Sequence, residues 1–445
     1  MKILLIKPYW LYPGTVKEST YNRIWPPLCL ANCAALLEKE GHQVKILDAH
    51  AERIKPIDIT GYINGYDKIF ITSSTIDRWQ CPNLDLTAFF ETVSGIKKRT
   101  DEFYVMGYHG TVKPEEILKL TGAKAVIRGE PELTVLELGR KKDLSRIDGI
   151  AYKNINGQII SNKDREPLNL DALPVPAWHL LNVGKYFYEV LGNNFLLLEG
   201  SRGCHYHCSF CSKIMYGPGV RQKSVSKIIS EIDDGVTRCR ARTGMFIDLD
   251  FTYNKEWVFE FCNRLKSKNY HFKWSCQTRL DKVDALLLKK MKQVGCDLIL
   301  YGIETGSPQI MKSLNKGLSL PQVAEGIRLT KEAGIKTIGI FMFGLPGETD
   351  TDRKVTVDFA RRLNPDYVSF HITTPYPGSK LFDGNNNNKI LPETIAGYDF
   401  FILKRTLRRA YFSFYCRPAY ILKKLFSEPF LTCRYGLRLF LNYFK

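Results

Sequence analysis

The 445-residue chain carries 64 Lys and Arg against 46 Asp and Glu, a formal net charge of +18, with 44% hydrophobic and 25% charged residues. That length suggests two or three domains with ample core, and the mix excludes disorder, collagen and coiled coil for the bulk of the chain. The basic balance points toward nucleic acid, anionic membrane or acidic substrate, but its placement narrows the choice. Residues 1–150 hold 21 basic and 19 acidic side chains, whereas residues 401–445 hold ten basic side chains and one acid, Glu428. No signal-peptide pattern opens the sequence, and no stretch reaches the roughly 18 uncharged apolar residues of a spanning helix. A cytoplasmic protein is expected, with its twelve cysteines serving as free thiols, metal ligands or catalytic groups rather than disulfides.

In chain order, Ile3–Ile6, Val44–Leu47, Ile69–Thr72, Phe103–Met106 and Ala125–Ile127 read as buried strands, rich in β-branched residues and bounded by polar residues, Gly or Pro. Between the first two, Pro27–Glu40 sets Leu28, Ala31, Ala35 and Leu36 on one helical face and stops at Gly41. This alternation predicts a doubly wound, Rossmann-like parallel sheet over residues 1–150. Residues 151–190 read as a hairpin and a Pro-rich linker: Ile150–Lys153 and Gln158–Ser161 flank Asn156-Gly157, and Pro167, Pro174 and Pro176 follow. From 191 to 390 come Phe195–Glu199, Met245–Leu249, Phe272–Cys276, Leu298–Ile303, Thr337–Phe343 and Tyr367–Ile372, with helical patterns such as Asp284–Val294 and Leu320–Ala333 between them. Six such units predict a partial (β/α)6 barrel whose chemistry gathers at the C-terminal strand ends. Asn385–Asn388 form a low-complexity loop that closes it. Residues 391–445 make a basic, aromatic tail, in which Arg405–Tyr415 has the pattern of a basic amphipathic helix ended by Arg417-Pro418.

Directly after the first barrel strand runs Ser201-Arg202-Gly203-Cys204-His205-Tyr206-His207-Cys208-Ser209-Phe210-Cys211-Ser212, a C-x3-C-x2-C spacing on a loop. Three thiolates so placed suit three irons of a [4Fe–4S] cluster and leave the fourth iron open to a substrate or cofactor. The competing use is a tetrahedral zinc that includes His205 or His207, for which no matching distant ligand pair is evident.

This motif, with the aromatic Phe210 before its last cysteine, resembles the signature of the radical S-adenosylmethionine (SAM) superfamily, and the resemblance continues through about residues 191–383. Five further motifs fall at strand ends in chain order: Asp248-Leu249-Asp250-Phe251-Thr252, Thr278-Arg279-Leu280-Asp281, Gly302-Ile303-Glu304-Thr305-Gly306, Gly344-Leu345-Pro346-Gly347-Glu348 and Pro375-Tyr376-Pro377-Gly378-Ser379. The resemblance implies a [4Fe–4S] cluster on Cys204, Cys208 and Cys211. It also implies SAM against Phe210, Asp248, Asp250, Arg279, Glu304 and Gly344, with the two aspartates toward its amino group and Arg279 and Glu304 toward its carboxylate and ribose. An electron from the reduced cluster, delivered by a donor such as flavodoxin or ferredoxin, would then split a SAM sulfur–carbon bond. The products are methionine and a 5′-deoxyadenosyl radical that takes hydrogen from an unactivated carbon, while the protein positions SAM and excludes water.

The first 150 residues are similar to the cobalamin-binding class of that superfamily. The matching segments are Pro26-Pro27-Leu28, Gly41-His42-Gln43-Val44 leading to Leu47-Asp48, Gly107-Tyr108-His109-Gly110-Thr111 with Pro114-Glu115-Glu116, and Arg128-Gly129-Glu130-Pro131-Glu132. Each also has a plain structural use, Gly41 as a helix cap, Gly129 as a turn and His109 as a hydrogen-bonded loop histidine. The resemblance implies cobalamin over the strand-end loops, faced by Ser73, Ser74, Thr75, Gly107, His109, Gly129 and Glu130 in keeping with the crevice rule for open sheets. Trp79 is a candidate for the cobalt's lower face or an ordinary packed side chain. The D-x-H-x-x-G signature is missing after the first strand, where the chain reads Lys7-Pro8-Tyr9-Trp10, and Asp48-Ala49-His50 after the second ends without Gly. Members of the class that bind cobalamin without a histidine ligand make that absence expected.

The function so implied is cobalamin-dependent C-methylation of a small-molecule or lipid-like substrate. The alternative is radical cyclisation or rearrangement on the same scaffold. A methylthiotransferase needs a second three-cysteine cluster, which Cys29, Cys33 and Cys81 do not form, since the first two lie within one predicted helix. A non-catalytic cobalamin or SAM sensor would not need the intact cysteine and strand-end motifs. For the tail two readings stand side by side, an interfacial helix on anionic lipid at the cytoplasmic membrane face and a helical cap on the barrel with solvated charges. No nucleic-acid-binding motif accompanies the charge, and no nucleic-acid partner is expected.

Overall fold

The computed structural model describes residues 1–10, 23–74, 82, 84–140, 143–217, 219–382, 394–395 and 397–429. Thr75, Trp79, Cys81, Asn385–Asn388 and the last part of the tail lie outside the described residues. The first sheet has seven strands: β1 (Lys2–Lys7), β2 (Gln43–Asp48), β3 (Lys68–Thr72), β4 (Phe103–Met106), β5 (Ala125–Ile127), β6 (Ile150–Lys153) and β7 (Ile159–Ser161), in the order β2-β1-β3-β4-β5-β6-β7. The first five are parallel, and the order reverses at β1, which places a crevice at the C-terminal ends of β1 and β3. Strand alternation divides the core between two faces. Ile3 and Leu5 pack under α1 (Leu28–Lys39), whereas Leu4 and Ile6 pack toward α2 (Thr87–Lys97). This half also contains α3 (Tyr108–Val112), α4 (Pro114–Thr121) and α5 (Glu132–Gly139), the last packed beside α1, and a single turn at Ala49–Glu52.

The Asn156-Gly157 hairpin forms as β6 and β7, but it is not a free-standing part of a linker. β6 pairs antiparallel with β5 and makes the hairpin the edge of the first sheet. The Pro-rich stretch after it is likewise built in. Leu170, Leu173, Trp178 and Tyr186 are buried in the same apolar cluster as α1 and the barrel core, and the Ala177 N–H donates to the Ala31 carbonyl at 3.0 Å. Apolar spacing within 168–191 is too irregular to signal this burial, because the segment packs as single side chains between two layers rather than as one face of an element.

The second sheet is parallel and in chain order: β8 (Phe195–Leu198), β9 (Thr243–Phe246), β10 (Lys273–Thr278), β11 (Cys296–Glu304), β12 (Lys336–Phe343) and β13 (Tyr367–Ile372). Intervening helices are α6 (Val225–Thr237), α7 (Lys255–Ser267), α8 (Ala285–Gln293), α9 (Pro308–Ser313), α10 (Leu320–Glu332) and α11 (Asp350–Leu363). Their starts are written in the sequence: Ser224, Asn254, Asp284, Ser307, Ser319 and Thr349 each accept a backbone N–H of the following turn.

Among the described residues no strand pairs with the outer backbone of β13, the sixth strand, and the tail covers it. α12 (Phe400–Tyr415) presents Tyr411 and Tyr415 one turn apart, with rings stacked at 6.1 Å. The Tyr411 hydroxyl takes the Phe370 N–H at 3.0 Å, and the Tyr415 hydroxyl takes the Val368 N–H at 3.0 Å and donates to the Val368 carbonyl at 2.9 Å. Two phenols thus do for an edge strand what a seventh strand would. The chain then continues where the sequence pattern had ended, as α13 (Pro418–Ser427), because Pro418 sits at a first-turn position that tolerates proline. The Tyr411→Phe/Tyr415→Phe double variant is expected to lose about 1–3 kcal/mol in urea unfolding, with faster amide exchange at Val368 and Phe370. Unchanged exchange at both amides would dismiss the tyrosines as edge covers.

Candidate active site

β8 runs through Glu199 and Gly200 into Ser201–Gly203, which pairs antiparallel with Val220–Gln222. Gly203 has φ 93°, and a Cβ there would lie 2.0 Å from the Gly219 carbonyl oxygen, so only glycine lets this ribbon close. The cysteine loop begins one residue later and is tied from several sides. Lys213 Nζ donates to the carbonyls of Cys204 and Tyr206 at 2.8 Å each. The Ser209 N–H reaches the Leu314 carbonyl at 2.9 Å and Asn315 Nδ2 reaches that of His207 at 3.1 Å. Phe210 packs on the cluster of Ile310, Leu314 and Leu345.

Cys204, Cys208 and Cys211 are free thiols of intermediate exposure. Burial pushes all three up, Cys211 to about 12, while Lys213, Lys316 and Arg279 work in the opposite direction around them. Among the described residues no three His, Cys, Asp or Glu converge on a single ion position. A [4Fe–4S] cluster asks each thiolate for a different iron. Three all-sulfur donors on one loop, ringed by cations, fit the cluster.

The strand ends bring Asp250, Arg279 and Glu304 around this loop. Asp250 Oδ1 accepts from Thr278 Oγ1 at 2.7 Å and more distantly from the Arg279 N–H, while its Oδ2 is buried with no hydrogen-bond partner. Burial pushes this carboxyl up, and Cys204 is among the groups that feel its charge. Glu304 has φ 70°, a left-handed conformation for a residue with a side chain, at an irregularity in the β11–β12 register. Such strain clusters where a site demands it. Its Oε1 accepts from Lys316 Nζ at 2.6 Å, and Lys316 also donates to the Gly302 carbonyl. Arg279 stacks 3.6 Å above the Tyr206 ring of the cysteine loop, holds Asp281 in a two-point pair, and donates to the Lys316 carbonyl. The Gly344 N–H donates to Glu348 Oε2 at 2.6 Å, and Leu403 of α12 lies over Gly344.

Asp248 stands apart from that group. It is fully buried, accepts from Ser201 Oγ at 2.6 Å and the Gly200 N–H at 2.9 Å, and so braces the strand that leads to the cysteines. Burial, with Glu199 nearby, pushes its pKa up to about 7 against those two hydrogen bonds.

At the C-terminal edge of the first sheet, Ser73, Ser74, Gly107, His109 and Gly129 form a ledge. His109 Nδ1 meets Ser73 Oγ at 3.2 Å, Ser74 Oγ accepts the Tyr108 N–H at 3.3 Å, and the Gly129 N–H donates to Thr111 Oγ1 at 2.9 Å. Gly107, at φ 105°, turns β4 into α3 and frees that edge. Glu130 is engaged differently from its neighbours: its carboxylate pairs with Arg221 and with Arg202. Arg202 is itself wholly buried and also pairs with Glu132 at 2.6 Å and Glu199 at 2.9 Å. A second link joins the same parts, since the Tyr108 hydroxyl lies 3.3 Å from Ser212 Oγ and 3.2 Å from the Pro377 carbonyl. The C-terminal edges of both sheets therefore face each other, with the cysteine loop between the links. Sequence reasoning gives Arg202, Glu132, Glu199, Lys316, Tyr108 and Ser212 no part in the site, although several stand inside its motifs. The motifs R-G-E-P-E and S-R-G-C lie some 70 residues apart, and nothing in either says that one charge answers the other.

The Radical SAM superfamily model matches residues 198–360. An uncharacterized methyltransferase of Pyrococcus horikoshii is 32% identical over 470 aligned positions, spanning 98% of this chain and 97% of its own. The anaerobic magnesium-protoporphyrin IX monomethyl ester cyclase of Rubrivivax gelatinosus is 28% identical, spanning 86% of this chain and 69% of its own. Among solved structures, the cobalamin-dependent SAM radical enzyme OxsB, with aqua-cobalamin and SAM bound, superposes with a TM-score of 0.76 over 100% of this chain and 72% of that one. At 16% identity that likeness is one of fold.

Two outcomes test this geometry. Arg202→Ala leaves Glu130, Glu132 and Glu199 facing one another in the interior and is expected to cost about 3–5 kcal/mol, with less iron retained per chain after reconstitution. Stability near that of the parent would remove the network from its structural role. Because the folded chain holds the Asp248 proton more tightly than the unfolded chain, that proton's contribution to stability is complete below about pH 4 and fades as pH rises through about 7. Urea titrations of the reduced apoprotein should show Asp248→Asn with a shallower loss of stability across this window, the difference in slope approaching 1.4 kcal/mol per pH unit at most. Parallel pH profiles would contradict the raised pKa.

Proposed function

The chain belongs to the radical SAM superfamily of enzymes, and we propose that it transfers a methyl group to a carbon of a small-molecule or lipid-like substrate with cobalamin held between its two sheets. One observation carries this reading: the C-terminal edges of both sheets face each other across the cysteine loop, linked by Tyr108–Ser212 and by Arg202–Glu130. Open parallel sheets and barrels each take ligands at that end, so the arrangement gives two cofactor sites one common space. The methyltransferase of P. horikoshii, similar along nearly its whole length, supports the same reaction class. OxsB, of the same fold, has aqua-cobalamin and SAM bound.

When bound, the cluster and SAM supply a 5′-deoxyadenosyl radical, and cobalamin supplies a transferable methyl group. The chain's own residues have separate tasks in this reading. Cys204, Cys208 and Cys211 hold the cluster, and Lys213, Asn315 and Arg279 keep their loop folded. Asp250, with its unpartnered buried oxygen, takes the SAM amino group. Glu304, held by Lys316, receives the ribose. Arg279 serves through its stack on Tyr206 and its hold on the Lys316 carbonyl, and Gly344 through its N–H on Glu348, one residue before the Leu345 on which Phe210 packs. Asp248 acts at one remove, by bracing the strand before the loop. Ser73, Ser74, Gly107, His109 and Gly129 line the cobalamin ledge, while Glu130 fixes the ledge to the barrel.

The cyclase of R. gelatinosus, similar over most of the chain, favours a second reading in which the same radical closes a ring without methyl transfer. An electron donor of the flavodoxin or ferredoxin kind serves both readings.

Anaerobically reconstituted protein given SAM and a low-potential reductant should release 5′-deoxyadenosine, and Cys208→Ala should bring that release to background. Absence of product from cluster-loaded protein would defeat the enzyme assignment. Purification with hydroxocobalamin should leave a visible spectrum with the protein, and its loss on dialysis would defeat the cobalamin part. Label from methyl-labelled SAM in the product separates methylation from cyclisation.

A further inference from the structure

The two C-terminal helices have an outer face unlike the rest of the surface. α12 turns Leu403, Ala410 and Phe414 inward, and the exposed positions between its ends are Phe401, Ile402, Arg405, Arg408, Arg409 and Phe412. These six fall within one arc of the helix, three apolar side chains among three arginines without a single acid. α13 continues it with exposed Ile421, Leu422, Lys423, Leu425 and Phe426. No Asp or Glu occurs anywhere between Phe400 and Ser427. Of the thirteen large hydrophobic side chains exposed among the described residues, seven lie on these two helices, with Phe401 at 77% and Phe426 at 86% exposure.

A helix that merely caps the barrel would put polar side chains on its outer face. Here the inner face already has its partners, through Tyr411 and Tyr415 on β13 and Tyr420 on the Asp366 carbonyl. Glu428, the nearby acid, is tied inward to Lys336 and Lys424 and does not offset the outer arginines. No helix among the described residues is long and apolar enough to cross a membrane, so a bilayer contact would lie in its surface plane.

We propose that the outer face of α12 and α13 docks on a bilayer containing anionic phospholipid. Phe401, Ile402, Phe412 and Phe426 enter the headgroup–acyl boundary, and Arg405, Arg408, Arg409 and Lys423 pair with lipid phosphates. Charge complementarity selects this occupant. A polynucleotide would use the basic side chains but gives the aliphatic ones no partner, and a second copy of this chain would oppose arginine to arginine. Residues 430–445 carry the same composition, with Arg434, Arg438, Lys445 and five aromatics and no acid.

The test is co-sedimentation of the full-length protein with sucrose-loaded vesicles of phosphatidylcholine alone and of phosphatidylcholine with phosphatidylglycerol. Binding is expected to the mixed vesicles only and to weaken as salt is raised. Arg405→Glu/Arg409→Glu should reduce it roughly tenfold or more. Phe401→Ser/Phe426→Ser should weaken it at low salt as well, and circular dichroism should show both pairs folded. Absence of binding to mixed vesicles overturns the proposal. So does binding that neither pair alters, an RNA that displaces the vesicles while the phenylalanine pair has no effect, or a dimer in sedimentation velocity that the same substitutions dissociate.

Discussion

A guanidinium with no access to water sets the geometry on which the candidate site depends. Arg202 lies in the Ser201–Gly203 ribbon, two residues before Cys204, and it answers carboxylates from both halves of the molecule: Glu199 just after the first barrel strand, Glu130 and Glu132 from the end of the first sheet. As a source of net stability such a network is weak, because desolvating the charges offsets most of their attraction. As a constraint it is strong. Any arrangement that moves the first sheet away from the cysteine loop strands buried charge, at a cost far above that of losing an apolar contact. Asp248 does the same on a smaller scale, with both of its oxygens on the backbone and hydroxyl just before the loop. Position at this site is thus imposed by buried polar groups that answer one another.

From that constraint the architecture follows in order. The two sheets meet at their C-terminal edges, where helix and strand ends leave backbone groups and loops free for ligands. The first sheet's strand order reverses at β1 and its edge supplies the ledge; the second stops at six strands. Stopping early exposes the backbone of β13, and the tail repairs that edge with tyrosine hydroxyls placed one helical turn apart. The helix that seals the barrel is then committed on its inner face only. Its outer face is free to carry a different chemistry, and what it carries is arginine among phenylalanine and isoleucine.

Much of this was legible in the residues. Strands such as Phe103–Met106, Ala125–Ile127 and Tyr367–Ile372 announce themselves as short β-branched or aromatic runs between polar breaks, and the structure places them at those bounds. The cysteine loop is legible for a different reason, since its spacing is local and its chemistry specific. What stayed hidden is non-local. Pairing of β6 with β5 depends on register across a turn that sequence reports only as a hairpin. The commitment of Glu130 to Arg202 and Arg221, rather than to a ledge facing a cofactor, depends on partners far along the chain. Asp248 and Asp250 sit two residues apart in one motif, yet one is fully occupied and the other keeps a buried oxygen without a partner.

The chain's net charge of +18 divides along the same line. Inside, cations are placed singly and answered: Arg202 by three carboxylates, Lys316 by Glu304, Lys223 by Glu231. On the outer face of the tail helices Arg405, Arg408, Arg409 and Lys423 are left to solvent, where like charges repel by amounts that salt screens within about 8–10 Å. A folded chain tolerates such charges cheaply at its surface, and the repulsion falls further when an anionic layer lies against it. The apolar side chains set between the arginines have no comparable tolerance, since each exposed phenylalanine forgoes the transfer free energy that burial would return. Arginine makes the face attractive to phosphate, and phenylalanine makes water a poor neighbour for it. The two requirements are met together only where phosphate and hydrocarbon lie within a side chain's length of each other.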